Sequence, residues 1–463
     1  MTESIQLNSR ILPAMTLVVL SCWIFVVLVS RQPGHMAVVQ FLAASAVMVL
    51  AAAVVVWNYH RHSAAIGLRW ILFSAVLLRL ISLWGMPLFE DDYYRYLWDG
   101  YHTAVFNDPY SLAPAEFFDR EDYPEIFDPM LSLINYPEVA TVYGPVTQWV
   151  FAVGYLIAPA EIWPLQLMAG LADFAVLVVL YNLGAGRALL FYAWSPLLLK
   201  EFSLTAHPDI YAILALMLSI FFFNKNRICL AGVALALAVG AKVFAVLVVP
   251  FLLSQRWSVR DWLWLCGFFA LTIGLITVAF GTPAIWVPEG LQAMADTWLF
   301  NSAVYLMLVK LFDFQLIKLA LLALFSMVVA VVCAHRLLMA RARSLPSGQS
   351  VPAFGTDNTL QGFSVFRGDL LFLFFLLSLP VVNAWYVAWL LPFATIHPRW
   401  WSWAASYFCL LSYCTASNFG RFGPDSLELP AAVIAFEYMA VVVVAVLALA
   451  VARSVRYRAF TGW

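Results

Sequence analysis

The sequence predicts an all-α fold: a polytopic transmembrane helical bundle with an extracytoplasmic loop that carries short amphipathic helices. Of its 463 residues, 64% are hydrophobic and 11% are charged, whereas soluble domains carry about 25% charged residues. Several apolar runs reach the roughly 20 residues that a helix needs to cross a bilayer. Four of them are residues 11–30, 68–88, 228–253 and 431–452. From these lengths we expect about 11–14 membrane segments.

The charge of the chain argues against a nucleic-acid partner. The formal net charge is −1, and no basic run is interleaved with aromatic residues, so the electrostatic footprint of nucleic-acid binding is missing. The 19 tryptophans and 36 phenylalanines suit a protein surrounded by membrane lipid, since aromatic side chains favour the bilayer interface.

Basic residues orient the helices, because Lys and Arg are enriched in cytoplasmic connections. With the amino terminus inside, two helices return the chain to a cytoplasmic connection that holds Arg61 and Arg69. The third helix then leads outward, which places the loop 89–142 on the extracytoplasmic face. Residues 344–362 are rich in Ser, Pro and Gly and read as a mobile cytoplasmic loop.

Two segments do not fit simple crossings. If residues 145–158 cross the membrane, Arg187 falls on the wrong side, so either this segment lies in the interface or Arg187 breaks the charge rule. The run 228–253 should begin and end inside, yet Gly240-Ala241-Lys242 interrupts it. Two half-helices that meet at Lys242 would explain this, because broken backbone is tolerated where it lines a protein cavity.

The most function-like feature is the acidic run Glu90-Asp91-Asp92 at the mouth of the third helix. If the following residues are helical, Asp91 shares a face with Arg95, and Asp92 shares one with Tyr96. One interpretation is a solvated helix end with an Asp91–Arg95 ion pair. The other is a site, in which Glu90 is a bystander.

More ionisable residues should reach the same side of the membrane. Lys200-Glu201 and His207-Pro208-Asp209 lie between two apolar runs, and ionisable residues at membrane depth are functional candidates. The alternatives are a structural Lys200–Glu201 pair and a lone interfacial histidine.

Lys242 stands inside an apolar run, where a cation is costly unless it meets an anion. A phosphate would suit it, and snorkelling to the interface is the alternative. Trp385-Tyr386 joins two apolar runs, as aromatic belts do. Arg79 and Asp173 also fall in apolar runs, and we interpret them as contacts between helices.

Together these features resemble the GT-C superfamily of polytopic glycosyltransferases, and most closely its bacterial mannosyltransferases that use a polyprenyl-phosphate-linked sugar. The resemblance covers residues 67–400, in the order of the family. It rests on the run from Asp91 to Gly100, Asn107 with Pro109-Tyr110, Tyr143-Gly144-Pro145, Lys200-Glu201, His207 with Asp209, Lys242 with Pro250, and Trp385-Tyr386 with Pro392. The family often has Tyr-Pro-Pro where this chain has Tyr143-Gly144-Pro145.

The resemblance implies three parts: two additional transmembrane helices over residues 1–66, a catalytic module over 67–400, and carboxyl-terminal transmembrane helices over 401–463. It implies transfer of a hexose, by likeness mannose, from a polyprenyl phosphate to a glycolipid, glycan or protein, with inversion. The active site would lie on the extracytoplasmic face of a bacterial inner membrane.

The resemblance also assigns roles to residues. Asp92 would be the base and Asp91 its alternative. The substrate-binding residues would be Arg95, Tyr143, Lys200, Glu201, His207, Asp209, Lys242, Trp385 and Tyr386. No metal or other cofactor is expected, although some relatives that transfer oligosaccharides use a divalent cation.

Two other functions fit the sequence. A secondary transporter or lipid flippase could use Lys242, His207 and Asp173 as a substrate path. Transporters usually repeat their broken helices, and the sequence shows one candidate break. A non-catalytic subunit of an envelope-polymer assembly is the third possibility.

Overall fold

A computed structural model of the chain describes residues 2–62, 66–120, 122–254, 258–281, 286, 298–344, 367–421 and 427–461. Within these residues the regular secondary structure is helical, apart from one isolated bridge between Phe300 and Val381. The predicted all-α class is confirmed. The loop expected at 344–362 lies, except for its first residue, outside the described residues.

The helices of the first half are α1 (Thr2–Arg31), α2 (Ala37–Arg61), α3 (Leu68–Ser82), α4 (Asp92–Phe106), the short turns Pro114–Phe117, Glu125–Phe127 and Asp128–Leu131, α5 (Pro145–Ile157), α6 (Trp163–Asn182), α7 (Leu189–Leu204), α8 (Asp209–Asn224) and α9 (Ile228–Ala241). Those of the second half are α10 (Val243–Ser254), α11 (Val259–Phe280), α12 (Ala303–Leu308), α13 (Phe314–Ser344), α14 (Gly368–Leu377), α15 (Ala384–Ile396), α16 (Trp400–Phe408), the short turns Cys409–Tyr413 and Ser417–Phe419, and α17 (Ala431–Thr461).

Six of the described helices, α1, α2, α6, α11, α13 and α17, contain stretches long and apolar enough to cross a membrane. The bent pair of α7 and α8 would add a seventh span if it counts as one. Five apolar helices of 10–17 residues are shorter than a span: α5, α9, α10, α14 and α15. The chain is a multi-pass membrane protein, and the figure of 11–14 segments stays a prediction.

Contacts at the helix ends show which connections share a side of the bundle. Arg31, at the end of α1, donates to the carbonyl oxygen of Trp84 just beyond α3 at 2.7 Å. His60, near the end of α2, lies 3.4 Å from Arg187, which follows α6. The run at 90–92 therefore lies at the end of the bundle opposite to His60.

Helix α5 packs against α4 on the side of the acidic run. Its 13 residues span about 20 Å, which is too short for a hydrocarbon core of about 30 Å. The ring of Phe151 stacks on Tyr96 at 4.8 Å. Gln166, near the start of α6, donates to the carbonyl of Gly85 at 3.2 Å, so α6 starts on the same side. Arg187 then falls beside His60 and obeys the charge rule.

Two helical elements are broken where they approach each other. As predicted, α9 ends at Ala241, and Lys242 is extended (φ −150°, ψ 123°) before α10 begins. A second break was not predicted: α7 and α8 meet at 115° across residues 205–208, with Ala206 in the left-handed region at φ 60°. The sequence argument against a transporter, which counted one broken helix, is therefore wrong.

A buried ion pair ties α3 to α6. A guanidinium nitrogen of Arg79 lies 2.6 Å from Asp173, and the hydroxyl of Tyr192 donates to the same carboxylate at 2.8 Å. Both charged side chains are buried. Arg79 and Asp173 are thus the contact between helices that the sequence indicated.

Candidate active site

The acidic run lies at the start of α4. Asp91 is the residue before the helix and Asp92 its first residue. The helix ends at Asn107, whose left-handed backbone (φ 54°) terminates it. A carboxylate oxygen of Asp108 then accepts hydrogen bonds from the backbone amides of Tyr110 and Ser111, both at 3.2 Å, and so closes a turn.

Arg95 holds the loop over α4. Its guanidinium donates to the carbonyls of Val139 at 2.9 Å, Asn135 at 3.0 Å and Tyr136 at 2.8 Å. Asp91 accepts from the side-chain amide of Asn135. In the described structure Arg95 therefore bonds to the loop carbonyls and Asp91 bonds to Asn135, in place of the Asp91–Arg95 ion pair that a solvated helix end would have. A role of Arg95 in substrate binding stays a prediction.

Glu90 is the buried member of the run, with 8% of its side chain exposed. Its Oε1 atom binds the ammonium group of Lys200 and accepts from the hydroxyl of Tyr413 at 2.6 Å. The same hydroxyl contacts Glu201, and Lys200 donates to it at 2.7 Å. We call Glu90, Lys200, Glu201 and Tyr413 the Glu90 cluster.

His207 lies between the Glu90 cluster and the aspartates. Its Nε2 atom is 3.8 Å from Asp92 and 4.0 Å from Glu90, and its Nδ1 atom is 3.3 Å from Asp209. The indole of Trp385 stacks on its ring at 4.1 Å. A histidine enclosed by three carboxylates can carry or pass a proton.

Asp209 connects His207 to the break between α9 and α10. Its Oδ2 atom lies 3.3 Å from the ammonium group of Lys242, and its Oδ1 atom accepts from the indole of Trp389 at 2.8 Å. Lys242 also lies 5.2 Å from the ring centre of Tyr386. Asp209 is fully buried, whereas 20% of the Lys242 side chain is exposed, so an anion can approach Lys242.

Tyr143 and Gly144 join α5 to the break between α9 and α10. The ring of Tyr143 packs edge-on against Tyr96 at 5.3 Å. A Cβ atom on Gly144 would lie 2.3 Å from the carbonyl oxygen of Gly240. Only glycine permits this approach, which gives a physical reason for the departure from Tyr-Pro-Pro.

Asp91 and Asp92 have different surroundings. Asp92 has 32% of its side chain exposed and faces His207. Asp91 reaches the surface, yet the protein around its carboxyl removes water, and this, with the negative charge of Asp92, raises its pKa to about 6. Both carboxylates are therefore accessible. A pKa nearer to neutrality suits a general base, which is an argument for Asp91.

The structure brings nearly all of the predicted residues into one region. Asp92, His207, Asp209, Lys242 and Trp385 form a continuous chain of contacts. Lys200 and Glu201 belong to the adjoining Glu90 cluster, and Tyr143 packs beside it through Tyr96. Arg95 lies apart, under the loop.

Three residues of this region were missed from the sequence. Glu90 was set aside as a bystander, although its place in the acidic run was a signal. Trp389 lies one helical turn beyond Trp385, which was a weaker signal. Tyr413 stands in an apolar stretch far along the chain and gave no signal.

Two other features were compared with this region. No group of His, Cys, Asp and Glu side chains within the described ranges is arranged to hold a metal ion. A groove of about 710 Å³ runs along α11, from Val259 to Leu271, away from the acidic run.

A helical membrane bundle in which an accessible carboxylate faces a histidine, and a buried carboxylate joins that histidine to a lysine, contains a candidate acid–base site. Sequence comparison identifies the family. Residues 11–257, more than half of the chain, match the MptA_B family model, described as alpha-(1->6)-mannopyranosyltransferase, N-terminal domain. The chain belongs to this family, and the predicted resemblance to mannosyltransferases is confirmed. No curated protein and no solved structure matches the chain.

Proposed function

We propose that this protein is a GT-C-type enzyme that moves mannose from a polyprenyl-phosphate donor to an acceptor hydroxyl with inversion, using Asp92 as the base. The family description names α-(1→6) mannosyl transfer, and we extend the proposal to a product with that linkage. Inversion then requires a β-linked donor. The observation that carries the proposal is the chain of contacts from accessible Asp92 through His207 and Asp209 to Lys242.

Asp92 is the better placed of the two aspartates. It faces His207 and remains accessible, so an acceptor hydroxyl can reach it and give up its proton. A positioned base contributes about 10²–10⁴ in rate. Asp91, which accepts from Asn135, is the alternative base.

Lys242 is the first choice for the leaving phosphate. Its ammonium group is partly accessible and is matched by one carboxylate, that of Asp209. A fixed cation stabilises charge that develops on a leaving group. Lys200 is fully buried and bonded within the Glu90 cluster, which favours Lys242 over Lys200 for this role.

The aromatic residues would bind the sugar and the prenyl chain. Trp385 covers His207 and Tyr386 adjoins Lys242, so their rings border both ends of the proposed reaction centre. Each is partly exposed. Flat aromatic faces bury apolar area at a fixed geometry.

The proposed membrane side follows from the contacts at the helix ends. The acidic run lies opposite to His60 and Arg187, and positive residues mark the cytoplasmic face. The active site would therefore face outward from a bacterial inner membrane. The acceptor would be a glycolipid, a glycan or a protein.

A transporter or lipid flippase is the second candidate, favoured by one observation. Two broken elements meet at His207 and Lys242, and paired breaks are typical of transporter binding sites. Membership of a mannosyltransferase family favours the enzyme.

The experiment compares the native chain with Asp92→Asn and Asp91→Asn. Purified protein in lipid nanodiscs receives radiolabelled polyprenyl-phosphate mannose and a cell lipid extract. We expect Asp92→Asn to lower transfer about 10²–10⁴-fold and the product to be α-(1→6)-linked. Asp122→Asn, an exposed loop carboxylate paired with Arg120, is the matched control.

Two outcomes would count against the proposal. If both aspartate variants transfer mannose at the native rate, neither carboxylate is the base. If no covalent product forms while labelled lipid crosses proteoliposome membranes, the protein is a transporter.

A further inference from the structure

Tyr413 lies beyond the residues that match the family model, yet it binds the residue just before the two aspartates. We propose that Tyr413 is a positioning residue that fixes the start of α4, and with it the aspartate base, by holding Glu90 against the break between α7 and α8. This inference rests on the proposed function.

The contacts of Tyr413 connect three parts of the chain. Its hydroxyl lies 2.6 Å from Glu90 and in contact with Glu201. Lys200 donates to this hydroxyl at 2.7 Å and stands 4.0 Å from the centre of the ring. The Tyr413 hydroxyl thus joins the acidic run to the last turn of α7.

Tyr413 also packs against the residue before Glu90. Its ring centre lies 5.5 Å from that of Phe89, and Phe89 has a left-handed backbone with φ 67°. A bulky residue holds such a conformation only where its surroundings over-determine it. Tyr413 therefore restrains two consecutive residues, and Asp91 and Asp92 follow directly.

The hydrogen bonds of the Glu90 cluster require a proton on one of its two carboxyl groups. A phenol has one proton to donate, and the Tyr413 hydroxyl contacts carboxylates of both Glu90 and Glu201. For both contacts to be hydrogen bonds, one carboxyl must itself be protonated. Lys200 donates to both carboxylates, at 3.4 Å to Glu201 and more closely to Glu90, so we assign the negative charge to Glu90 and the proton to Glu201.

This assignment makes the Glu90 cluster neutral. One ammonium group, one carboxylate and one neutral acid remain, which suits a fully buried position, where unbalanced charge is costly. The bonds that Glu90 accepts from Lys200 and Tyr413 restrain its carboxylate. The cluster can therefore hold Asp92 in a fixed place without adding net negative charge beside it.

The test replaces Tyr413 by phenylalanine in the full-length protein. Tyr413→Phe keeps the ring against Phe89 and removes the hydroxyl. A misplacement of about 1 Å at a reaction centre can cost about 10²-fold in rate. We expect kcat to fall 10- to 100-fold, on the order of that limit, while KM for polyprenyl-phosphate mannose changes less than about 2-fold, since Tyr413 does not touch the donor.

The matched control is Tyr407→Phe. The Tyr407 hydroxyl donates to the carbonyl of Leu42 at 3.3 Å, outside the Glu90 cluster. It should keep the native kcat, and unfolding temperatures of both variants report on folding. A native kcat for Tyr413→Phe would overturn the proposal, and so would an equal loss in Tyr407→Phe.

Two amide variants test the proton and remain informative if Tyr413→Phe does not fold. Glutamine resembles a neutral carboxylic acid but not a carboxylate. Glu90→Gln should therefore lower kcat as far as Tyr413→Phe does, and Glu201→Gln should lower it clearly less. The opposite order, or a native kcat for Glu90→Gln, would contradict the proposed arrangement.

The aspartate variants separate this inference from the proposed function. If Asp92→Asn and Asp91→Asn both keep the native rate, the base proposal fails whatever Tyr413 does. If Asp92→Asn is inactive while Tyr413→Phe is native, the base proposal stands and only the positioning role is wrong.

Discussion

Replacing Lys242 by methionine tests whether the break between α9 and α10 carries the cation for the leaving phosphate. Methionine keeps most of the length of the side chain and its apolar contacts with Tyr386, and it removes the charge. Asp209 remains bonded to Trp389 at 2.8 Å. The change therefore isolates the ammonium group.

The size of the effect follows from the geometry. Lys242 and Asp209 are 3.3 Å apart, and two unit charges at that distance attract by about 5 kcal/mol at an effective dielectric constant near 20. A phosphate at a similar distance would gain no more, because Asp209 already offsets part of the charge. Loss of one fixed donor at a reacting oxygen costs about 10²–10³ in kcat. We expect this loss for Lys242→Met.

The assay measures kcat/KM for polyprenyl-phosphate mannose, normalised to the folded fraction. Lys225→Met is the matched control, because Lys225 is an exposed lysine 5.8 Å from the ring of Phe221 and far from the break in sequence. It should keep the native value. A Lys242→Met enzyme within about 3-fold of native kcat/KM, well short of the 10²-fold minimum, would refute the phosphate role.

Three further predictions concern stability. Arg79→Met should destabilise the protein by about 3–5 kcal/mol, because it leaves a buried carboxylate unpaired; unfolding in detergent measures this, and adding Asp173→Leu should restore most of it. Gly144→Ala should lower both unfolding temperature and activity, because its Cβ would lie 2.3 Å from a backbone oxygen, whereas Gly34→Ala meets open space and should be neutral. The pKa of Asp91 is raised to about 6 in the folded protein, so ionisation of this carboxyl lowers the free energy of unfolding. Asp91→Asn should therefore raise the free energy of unfolding fully above pH 6 and not at all below the ordinary pKa of 3.8. A gain that does not vary with pH would contradict this.

Local features of the fold were predictable from the sequence. The break at Lys242 followed from one lysine in an apolar run whose ends had to share a side. The contact between Arg79 and Asp173 followed from ionisable residues that stand inside apolar runs. Both depend on the chemistry of a few neighbouring residues, which a single sequence displays directly.

The break at residues 205–208 was harder to predict. His207-Pro208-Asp209 looked like a connection between two spans, because its polarity is that of a loop. A polar connection and a bend inside the protein have the same composition. Only contacts with Asp92 and Lys242 distinguish them.

The sequence predicted on which side of the membrane the site residues lie, but it did not predict which residue contacts Glu90. The charge rule placed the aspartates, His207 and Trp385 on one side, and the structure brings them into contact. Tyr413, which donates to Glu90, could not be inferred, since it lies in an apolar stretch 323 residues further along the chain. Pairing over such separations depends on how the helices pack, and no local pattern records it.

The reach of the Glu90 cluster has a consequence for biosynthesis. Lys200 and Tyr413 are 213 residues apart, and a ribosome adds about 5–20 residues per second. Lys200 and Glu201 thus spend about 10–40 s in the nascent chain before Tyr413 is made, and Glu90, which precedes Tyr413 by 323 residues, spends about 16–65 s. During this time their charges lack the phenol that links them. A chain truncated before residue 413 would keep this defect permanently and should be a substrate for membrane quality-control proteases.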